Sequence, residues 1–204
     1  MQSQSTTALI TGASSGIGLA LAHEFAKHGH HVVLVARSRD ALEALAQDLR
    51  ERYRIVATPL VKDLAQAGAV QELFHDVQAA GLTIDILVNN AGLGTAGDFV
   101  HMDTASIRST MTVNMNVLTE LTRLFLPGMI ERHWGRILNV GSTAAYQPGP
   151  FMAVYYATKA YVLSFSEALS YELKGTGVSV TCLNPGPTES NFFRAGNMTE
   201  IPMA

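Results

Sequence analysis

Three features are scarce in this sequence of 204 residues, and each scarcity argues against a class of protein. No stretch reaches the roughly 18 apolar residues that a membrane span requires. Neither the 14 basic nor the 17 acidic residues form a block of one charge, which disfavours nucleic acid and membrane surfaces as partners. Cysteine occurs once, as Cys182 in the apolar run VSVTCLN, and this context predicts a buried, unreactive thiol.

The first residues, MQSQSTTALITGAS, contain neither the basic segment nor the apolar segment of a secretion signal. We therefore expect a cytoplasmic protein, and the single thiol fits that reducing compartment. The length and the hydrophobic content of 48% are ordinary for one globular domain. Because no linker or low-complexity tract interrupts the chain, we expect residues 1–204 to form a single domain.

Six short runs rich in β-branched residues alternate with longer segments of helical periodicity. In GLALAHEFAKHG, for example, apolar residues recur at helical spacing and Gly29 is placed to end the helix. Such alternation predicts an α/β protein with a doubly wound parallel sheet, covered by helices on both faces. The predicted strands are 7–10, 31–36, 55–60, 84–89, 136–140 and 178–183.

A glycine-rich segment, TGASSGIG, joins the first strand to the first helix. Its Gly12, Gly16 and Gly18 lack the Cβ that would hinder a tight turn and the approach of a phosphate. The helix that follows offers free N–H groups and the positive end of its dipole, which suit a diphosphate. Glycines also occur in turns that bind nothing, but the order of strand, turn and helix favours a dinucleotide site.

The end of the second strand indicates which dinucleotide is bound. A carboxylate that grips the ribose of NAD is expected about 20 residues after the glycines, where this chain has Ala36. Arg37 follows, with Arg39 nearby, and a guanidinium suits the 2′-phosphate of NADP. The alternative is that both arginines are solvated charges at the start of a helix. Because a basic residue is unfavourable there, the phosphate contact is favoured, through Arg37 before Arg39.

The segment VYYATKA places Tyr155 and Tyr156 four and three positions before Lys159. On a helix both tyrosines face the lysine, so spacing alone does not distinguish them. Residues 155, 159, 162 and 166 form a more polar stripe than residues 156, 160 and 163. This pattern favours Tyr155 for chemistry and Tyr156 for packing.

Five motifs occur in one order: TGASSGIG, NNAG at 89–92, a serine in VGSTAAY, YYATK, and NPGP at 184–187. Together they resemble the compact branch of the short-chain dehydrogenase/reductase family over residues 7–190. The resemblance implies a Rossmann fold with strand order 3-2-1-4-5-6 and hydride transfer to or from a nicotinamide dinucleotide. Apolar residues lie on more than one face of the helices around Asn114 and Tyr155, which fits either the core alone or contact with a partner. The resemblance favours the partner and implies a homodimer or homotetramer.

The resemblance implies four catalytic residues, which are Asn114, Ser142, Tyr155 and Lys159. Tyr155 would exchange a proton with the substrate oxygen, and Lys159 would lower the pKa of the phenol and contact the nicotinamide ribose. Ser142 would hydrogen-bond the substrate oxygen as charge develops on it. Asn114 matches the asparagine that holds a water for proton relay. Asn116 is the alternative, although the position of Asn114 agrees better with the family pattern.

A second set of residues matches cofactor-binding positions of the family. Asp63 resembles the aspartate that contacts adenine, and residues 185–188 resemble the segment that cradles the carboxamide. Ser190 stands where the family often has threonine, and its hydroxyl suits a similar contact. The full set of implied NADP(H) contacts is Gly12, Ser14, Ser15, Gly16, Ile17, Gly18, Arg37, Asp63, Asn89, Ala91, Gly92, Tyr155, Lys159, Pro185, Gly186, Thr188 and Ser190.

Family members usually continue with a substrate-loop segment, a further helix and a seventh strand. We therefore expect this sequence to be a fragment, or a protein without its final strand and part of its substrate lid. The segment NNAGLGTAGDF, Phe192 and Phe193 favour a small-molecule substrate that is an apolar or acyl-chain ketone, or the matching secondary alcohol. The alternative function is a non-catalytic NADP(H)-binding sensor or scaffold, which would not need all four catalytic residues.

The only other cluster of interest is KHGHH, which contains His28, His30 and His31. These histidines have no carboxylate or cysteine partners at ligand spacing, so we expect no metal site.

Overall fold

The structure, a computed structural model, describes residues 6–188. The six predicted strands are present there, and their ends lie within two residues of the predicted ones. They are β1 (Thr7–Thr11), β2 (His31–Ala36), β3 (Ala57–Val61), β4 (Ile86–Asn89), β5 (Gly135–Val140) and β6 (Val178–Leu183).

Helices connect the strands. The first helix ends as predicted, because Gly29 follows it with φ +82° and donates its N–H to the oxygen of Ala26 at 2.9 Å. A single π-helical turn, Thr112–Val117, joins the fourth and fifth helices. The helices are α1 (Gly16–Lys27), α2 (Arg39–Tyr53), α3 (Ala69–Ala79), α4 (Thr104–Met111), α5 (Leu118–Glu131) and α6 (Ala153–Glu172).

The strands form one parallel sheet in the order β3-β2-β1-β4-β5-β6, which confirms the predicted Rossmann fold. Thr7 of β1 pairs with His31 of β2, and Ala8 of β1 pairs with Ile86 of β4. From β1 the chain therefore adds β2 and β3 toward one edge of the sheet. It then crosses back and places β4 on the other side of β1. In doubly wound sheets the ligand crevice lies where the strand order reverses, which here is beyond the carboxyl ends of β1 and β4.

One face of the sheet packs against α3, α5 and α6. Leu9, Val33 and Leu87 belong to the same buried cluster as Leu73 of α3 and Leu121 of α5, and all five are almost completely inaccessible to solvent. Burying each leucine contributes about 2 kcal/mol. This face anchors α6, which carries Tyr155, and α5, which follows the π-helical turn that contains Asn114.

The opposite face packs against α1 and α2. Ile10, Leu34 and Val88 share a second buried cluster with Ala22 of α1 and Leu42 of α2. Because successive strand residues point to opposite faces, burial on both sides explains why the strands are apolar throughout. Within residues 6–188, no helix is long and apolar enough to cross a membrane.

Candidate active site

The glycine-rich turn lies at the carboxyl end of β1 and opens α1. Gly12 and Gly16 have φ values of +66° and +54°, in the left-handed region where glycine is favoured. A Cβ on Gly12 would come within 2.8 Å of Nδ2 of Asn90, and a Cβ on Gly18 would collide with the oxygen of Gly12. The glycines therefore let three backbone segments meet closely at the crevice.

Asn90 holds this turn in place. Its Nδ2 donates to the oxygens of Thr11 and Gly12 at 2.8 and 3.2 Å, and the N–H groups of Asn90 and Ala91 donate to Oγ1 of Thr11. No role for Asn90 was predicted from the sequence. The doubled asparagine of NNAG is the signal that would have found it, since neighbouring residues in an extended segment face opposite ways.

Asn89, for which a cofactor contact was predicted, has its side chain inside the protein. Only 4% of the residue is exposed, and its Nδ2 donates to Oγ1 of Thr122 and Oδ1 of Asn139. This side chain joins β4 to α5 and β5. Because the side chain is engaged there, the predicted contact between Asn89 and the cofactor stays a prediction for the backbone atoms of Asn89.

The two arginines follow β2, next to the glycine-rich turn. Arg37 is exposed directly after Ala36, and the turn is tied to β2 by the N–H of Ala13, which donates to a strand carbonyl. Arg39 begins α2, and its Nη1 lies 3.4 Å from Oε1 of Glu43. The predicted order of preference, Arg37 before Arg39, stays a prediction, and Arg39 already lies beside a carboxylate.

Asp63 lies after β3, at the same edge of the sheet. Its two carboxylate oxygens accept hydrogen bonds from the N–H of Ala65 and from Nε2 of Gln66, at 3.1 and 3.3 Å. A cavity of about 220 Å³ adjoins this segment and is lined on its far side by Asn116 and Thr112. Asn116 therefore faces this cavity.

Asn114 faces the other way, toward α6. It is 2% exposed, and its Oδ1 accepts the N–H of Leu93 at 2.8 Å. Its Nδ2 donates to the oxygen of Leu93 and to Oγ1 of Thr158, each at 2.9 Å. The π-helical turn sets this direction, and such turns are frequent at functional sites. Of the two asparagines considered from the sequence, Asn114 is the one beside Tyr155 and Lys159.

The other predicted catalytic residues meet at the carboxyl end of β5. Ser142 and Tyr155 are joined by a side-chain hydrogen bond. The Oγ of Ser142 also accepts the N–H of Ala144 at 3.1 Å. Lys159 lies one turn further along α6, with its Nζ 5.8 Å from the centre of the Tyr155 ring. A Cβ on Gly92 would lie 3.8 Å from this Nζ, so the NNAG turn borders the same group.

Tyr156 packs against the segment that follows Ser142. Its ring packs against Gly149 so tightly that a Cβ on that glycine would overlap the ring. The ring also lines a surface cavity of about 670 Å³ beside Pro148 and Ala160. This arrangement agrees with the prediction that Tyr156 packs while Tyr155 faces the site.

Burial dominates the electrostatics of the pair on α6. It raises the pKa of Tyr155 above 10.0, and the hydrogen bond with Ser142 offsets only part of that rise. Burial also lowers the pKa of Lys159 to about 8. The predicted net lowering of the Tyr155 pKa is therefore wrong for this structure, because burial of the phenol raises that pKa. Sequence spacing could not reveal the cause, because it does not report how much of each side chain is removed from water.

The segment after β6 runs alongside Ser142. The oxygen of Pro185 accepts the N–H of Thr143 at 3.0 Å, and Oγ1 of Thr188 donates to the oxygen of Gly186. Ser190 lies outside the described residues. Asn184, at the start of this segment, contacts the backbone of Ser142 and was not singled out from the sequence.

The histidines and the cysteine serve other contacts. Nδ1 of His28 lies 2.9 Å from the oxygen of Glu24, and Nδ1 of His31 accepts the N–H of Val56. Among residues 6–188, no three histidine, cysteine, aspartate or glutamate residues are grouped to hold a metal ion. Cys182 is half-buried rather than buried, because β6 lies at an edge of the described sheet.

The fold and the site define a class, which is a doubly wound Rossmann protein with a glycine-rich turn at its switch point and a Ser–Tyr–Lys group nearby. The chain belongs to the short-chain dehydrogenase family, because a sequence model described as short chain dehydrogenase matches residues 6–200. The family predicted from the five motifs is confirmed.

Two named relatives and one solved structure illustrate the family. The chain is 35% identical over 200 residues to very-long-chain 3-oxoacyl-CoA reductase of Homo sapiens, covering 95% of this chain and 61% of the relative. It is 39% identical over 179 residues to NADP-dependent 3-hydroxy acid dehydrogenase YdfG of Salmonella typhi, covering 87% and 71%. A short-chain dehydrogenase from Sphingobium yanoikuyae in complex with NADPH has 35% identity and a TM-score of 0.90, covering 98% and 78%.

The relatives are longer than this sequence. The chain spans about three fifths of the length of the vertebrate very-long-chain 3-oxoacyl-CoA reductases it resembles, between 58% and 61%.

Proposed function

We propose that this protein is an NADP(H)-dependent oxidoreductase that interconverts a carbonyl compound and a secondary alcohol. The observation that carries the proposal is the hydrogen bond between Ser142 and Tyr155, with Lys159 one helical turn away, at the carboxyl end of β5. A donor pair beside a buried lysine suits proton transfer to an oxygen that gains negative charge.

The residues at the crevice fit a dinucleotide. Ser15, which precedes α1, makes no side-chain capping bond to the helix. The first N–H groups of α1 therefore stay available, and a diphosphate is the ligand that such groups favour. Arg37 stands exposed after the neighbouring strand, where the 2′-phosphate of NADP(H) would lie. The relative from Salmonella typhi is named as NADP-dependent, and the Sphingobium structure contains NADPH.

In the proposed reaction, Tyr155 and Ser142 act on the substrate oxygen. NADPH, when bound, supplies a hydride to the carbonyl carbon. Ser142 donates a hydrogen bond to the oxygen while negative charge develops on it, and Tyr155 gives that oxygen its proton. Carbon gains the hydride and oxygen gains the proton, so a ketone becomes a secondary alcohol. In the oxidation direction, Tyr155 takes the proton from the hydroxyl.

Lys159 and Asn114 support this chemistry in different ways. The Nζ of Lys159 donates to the oxygen of Val140 at 2.8 Å, which holds a positive charge near the phenol. That charge stabilises the phenolate formed after proton transfer. The Nδ2 of Asn114 donates to Oγ1 of Thr158, and this hydroxyl donates to the backbone oxygen of Tyr155 at 2.7 Å. Asn114 thereby fixes the first turns of α6, in addition to the water-holding role that the family resemblance implies.

The substrate class that we propose is a 3-oxoacyl or 3-hydroxyacyl compound with an apolar chain. Both named relatives act, by their names, on molecules oxygenated at carbon 3 of an acid or thioester. This class also includes the acyl-chain ketone predicted from the sequence. The alternative, a non-catalytic sensor or scaffold, is not favoured, since the named relatives are a reductase and a dehydrogenase.

We also propose that the protein forms a homodimer or homotetramer. Tyr161 of α6 is 36% exposed, stacks on Phe165, and bonds through its hydroxyl to Thr119 of α5. Ala157 and Ala160 are exposed on the same helix, so the outer surface of α6 offers small and apolar side chains to a second copy. Sedimentation velocity measurements test this; a monomer at all concentrations would contradict it.

One experiment tests the central proposal. Purified protein is titrated with NADPH and NADH while nicotinamide fluorescence is followed, and NADPH oxidation is then measured with ethyl 3-oxobutanoate and longer 3-oxo esters. We expect tighter binding of NADPH and turnover that rises with chain length. Binding of NADPH without turnover of any 3-oxo ester or simple ketone would favour the non-catalytic alternative, and binding of neither dinucleotide would contradict both functions.

A further inference from the structure

Asn184 follows β6 and places its side-chain amide between the backbone of Ser142 and the hydroxyl of Tyr146. Its Oδ1 accepts the backbone N–H of Ser142 at 3.1 Å. Its Nδ2 donates to the hydroxyl of Tyr146 at 3.0 Å. The thiol of Cys182 also donates to Oδ1, at 3.3 Å. A thiol is a weak donor, so the N–H of Ser142 is the main partner of this oxygen.

The Asn184 amide meets Ser142 between two backbone hydrogen bonds that join the same chain segments. On one side of it, the N–H of Gly141 donates to the oxygen of Leu183 at 2.8 Å. On the other side, the N–H of Thr143 donates to the oxygen of Pro185 at 3.0 Å. The N–H of Ser142, between them, donates to the side-chain oxygen of Asn184 instead of to a backbone oxygen.

Gly141 is the residue that makes this arrangement possible. A Cβ on Gly141 would collide with Oδ1 of Asn184 and would lie 3.0 Å from Sγ of Cys182. Gly141 does not have a positive φ, so its backbone conformation does not require glycine. The need for space beside the Asn184 amide explains the glycine at this position.

We propose that Asn184 is a positioning residue that fixes Ser142 for its hydrogen bond to the substrate oxygen. The effect of Asn184 on catalysis rests on the function proposed above, but its effect on Ser142 does not. Ser142 Oγ already has a second constraint, the N–H of Ala144. With the backbone held by Asn184 and the side chain held by Ala144, the serine hydroxyl keeps its direction toward Tyr155.

The first test measures the Ser142 amide directly and needs no substrate. Amide hydrogen exchange is followed by NMR in the wild-type protein and in Asn184→Ala. We expect exchange of the Ser142 amide to accelerate at least about tenfold, whereas the Gly141 and Thr143 amides change less than about twofold. Asn184→Asp, which keeps an acceptor oxygen, should restore the protection. An unchanged Ser142 amide in Asn184→Ala would overturn the proposal.

The second test measures catalysis with the 3-oxo ester that the wild-type protein reduces fastest. We expect Asn184→Ala to lower kcat about tenfold, with the Kd for NADPH changed less than about twofold. In Ser142→Ala, which has lost the hydroxyl, adding Asn184→Ala should lower kcat less than about twofold. If the two substitutions lower kcat by factors that multiply in the double variant, the proposal is overturned, because Asn184 would then not act through Ser142.

Two further variants separate the contacts of Asn184. Tyr146→Phe removes only the partner of Nδ2, and we expect it to leave the Ser142 amide protected. Asn184→Asp should recover most of kcat. If no 3-oxo ester or ketone is reduced by the wild-type protein, the proposed function fails, and the exchange measurement still decides whether Asn184 positions Ser142.

Discussion

The Nζ of Lys159 donates a hydrogen bond to the backbone oxygen of Val140, 2.8 Å away. Val140 ends β5 two residues before Ser142, so this bond fixes α6 against the strand that leads to the serine. The ammonium is buried, and burial lowers its pKa from 10.5 to about 8. The bond therefore keeps a charge inside the protein, and the free-energy cost of burying that charge depends on pH.

The first prediction concerns stability and pH. Between pH 8 and 10.5 the unfolded protein binds more protons at Lys159 than the folded protein, so raising the pH favours the folded state. Relative to Lys159→Met, the wild-type protein should gain about 2 kcal/mol in free energy of unfolding between pH 7 and about 9.5. Urea denaturation at both pH values measures the difference. A difference that stays constant or falls with pH would contradict the lowered pKa.

The second prediction separates the two adjacent tyrosines. Tyr155→Phe removes the proton donor and should lower kcat at least about 100-fold, without loss of NADPH binding. Tyr156→Phe is the matched control and should keep most of the activity, because the Tyr156 ring packs against Gly149. Steady-state kinetics and fluorescence titration give both numbers. Equal losses in the two variants would mean that neither tyrosine is the specific acid.

The pKa of Tyr155 gives a third prediction. Because burial raises this pKa, the phenol stays protonated through neutral pH and can act as an acid without adjustment. We expect the rate of ketone reduction to stay nearly constant from pH 6 to about 8, whereas alcohol oxidation should rise with pH as the phenolate forms. Initial rates in both directions test this. Oxidation that is fastest at low pH would argue against Tyr155 as the base.

Much of the fold could be read from the sequence, since the strands are buried on both faces and form continuous β-branched runs. The motifs at strand ends also predicted which residues meet, because the carboxyl ends of parallel strands share one edge of the sheet. The direction of a side chain was harder to predict. Asn89 and Asn90 are adjacent and identical. Only the strand register decides that Asn90 is the one whose side chain bonds to the glycine-rich turn.

Two features of the site depend on contacts that a sequence does not contain. The π-helical turn that aims Asn114 at Leu93 differs from an ordinary helical turn by one residue of hydrogen-bond spacing, which no residue type specifies. The raised pKa of Tyr155 follows from its burial, and burial depends on tertiary packing.

The fourth prediction tests the cofactor preference. Arg37→Asp places a negative charge where the 2′-phosphate would bind and should weaken NADPH binding at least about tenfold, with NADH affected little or bound more tightly. Arg39→Asp is the matched control. We expect a smaller effect from it, since Arg39 lies beside Glu43 in α2. Fluorescence titration measures the affinity of each variant for NADPH and for NADH. Equal losses of NADPH binding in both variants would contradict a specific role for Arg37.

The last prediction compares two glycines that both lie within helices. A Cβ on Gly18 of α1 would overlap the oxygen of Gly12, which is backbone and has no freedom to withdraw. Gly18→Ala should therefore lower the free energy of unfolding by at least about 2 kcal/mol and weaken NADPH binding, because the glycine-rich turn must shift. Thermal and urea denaturation measure the stability.

Gly128 of α5 supplies the control, because its added Cβ would meet only Nη1 of the flexible Arg132 side chain, 3.1 Å away. Gly128→Ala should leave stability within about 1 kcal/mol of the wild-type value, since alanine favours a helix more than glycine does. If the two substitutions cost the same, close packing between the turn and α1 would not be the reason for glycine at position 18.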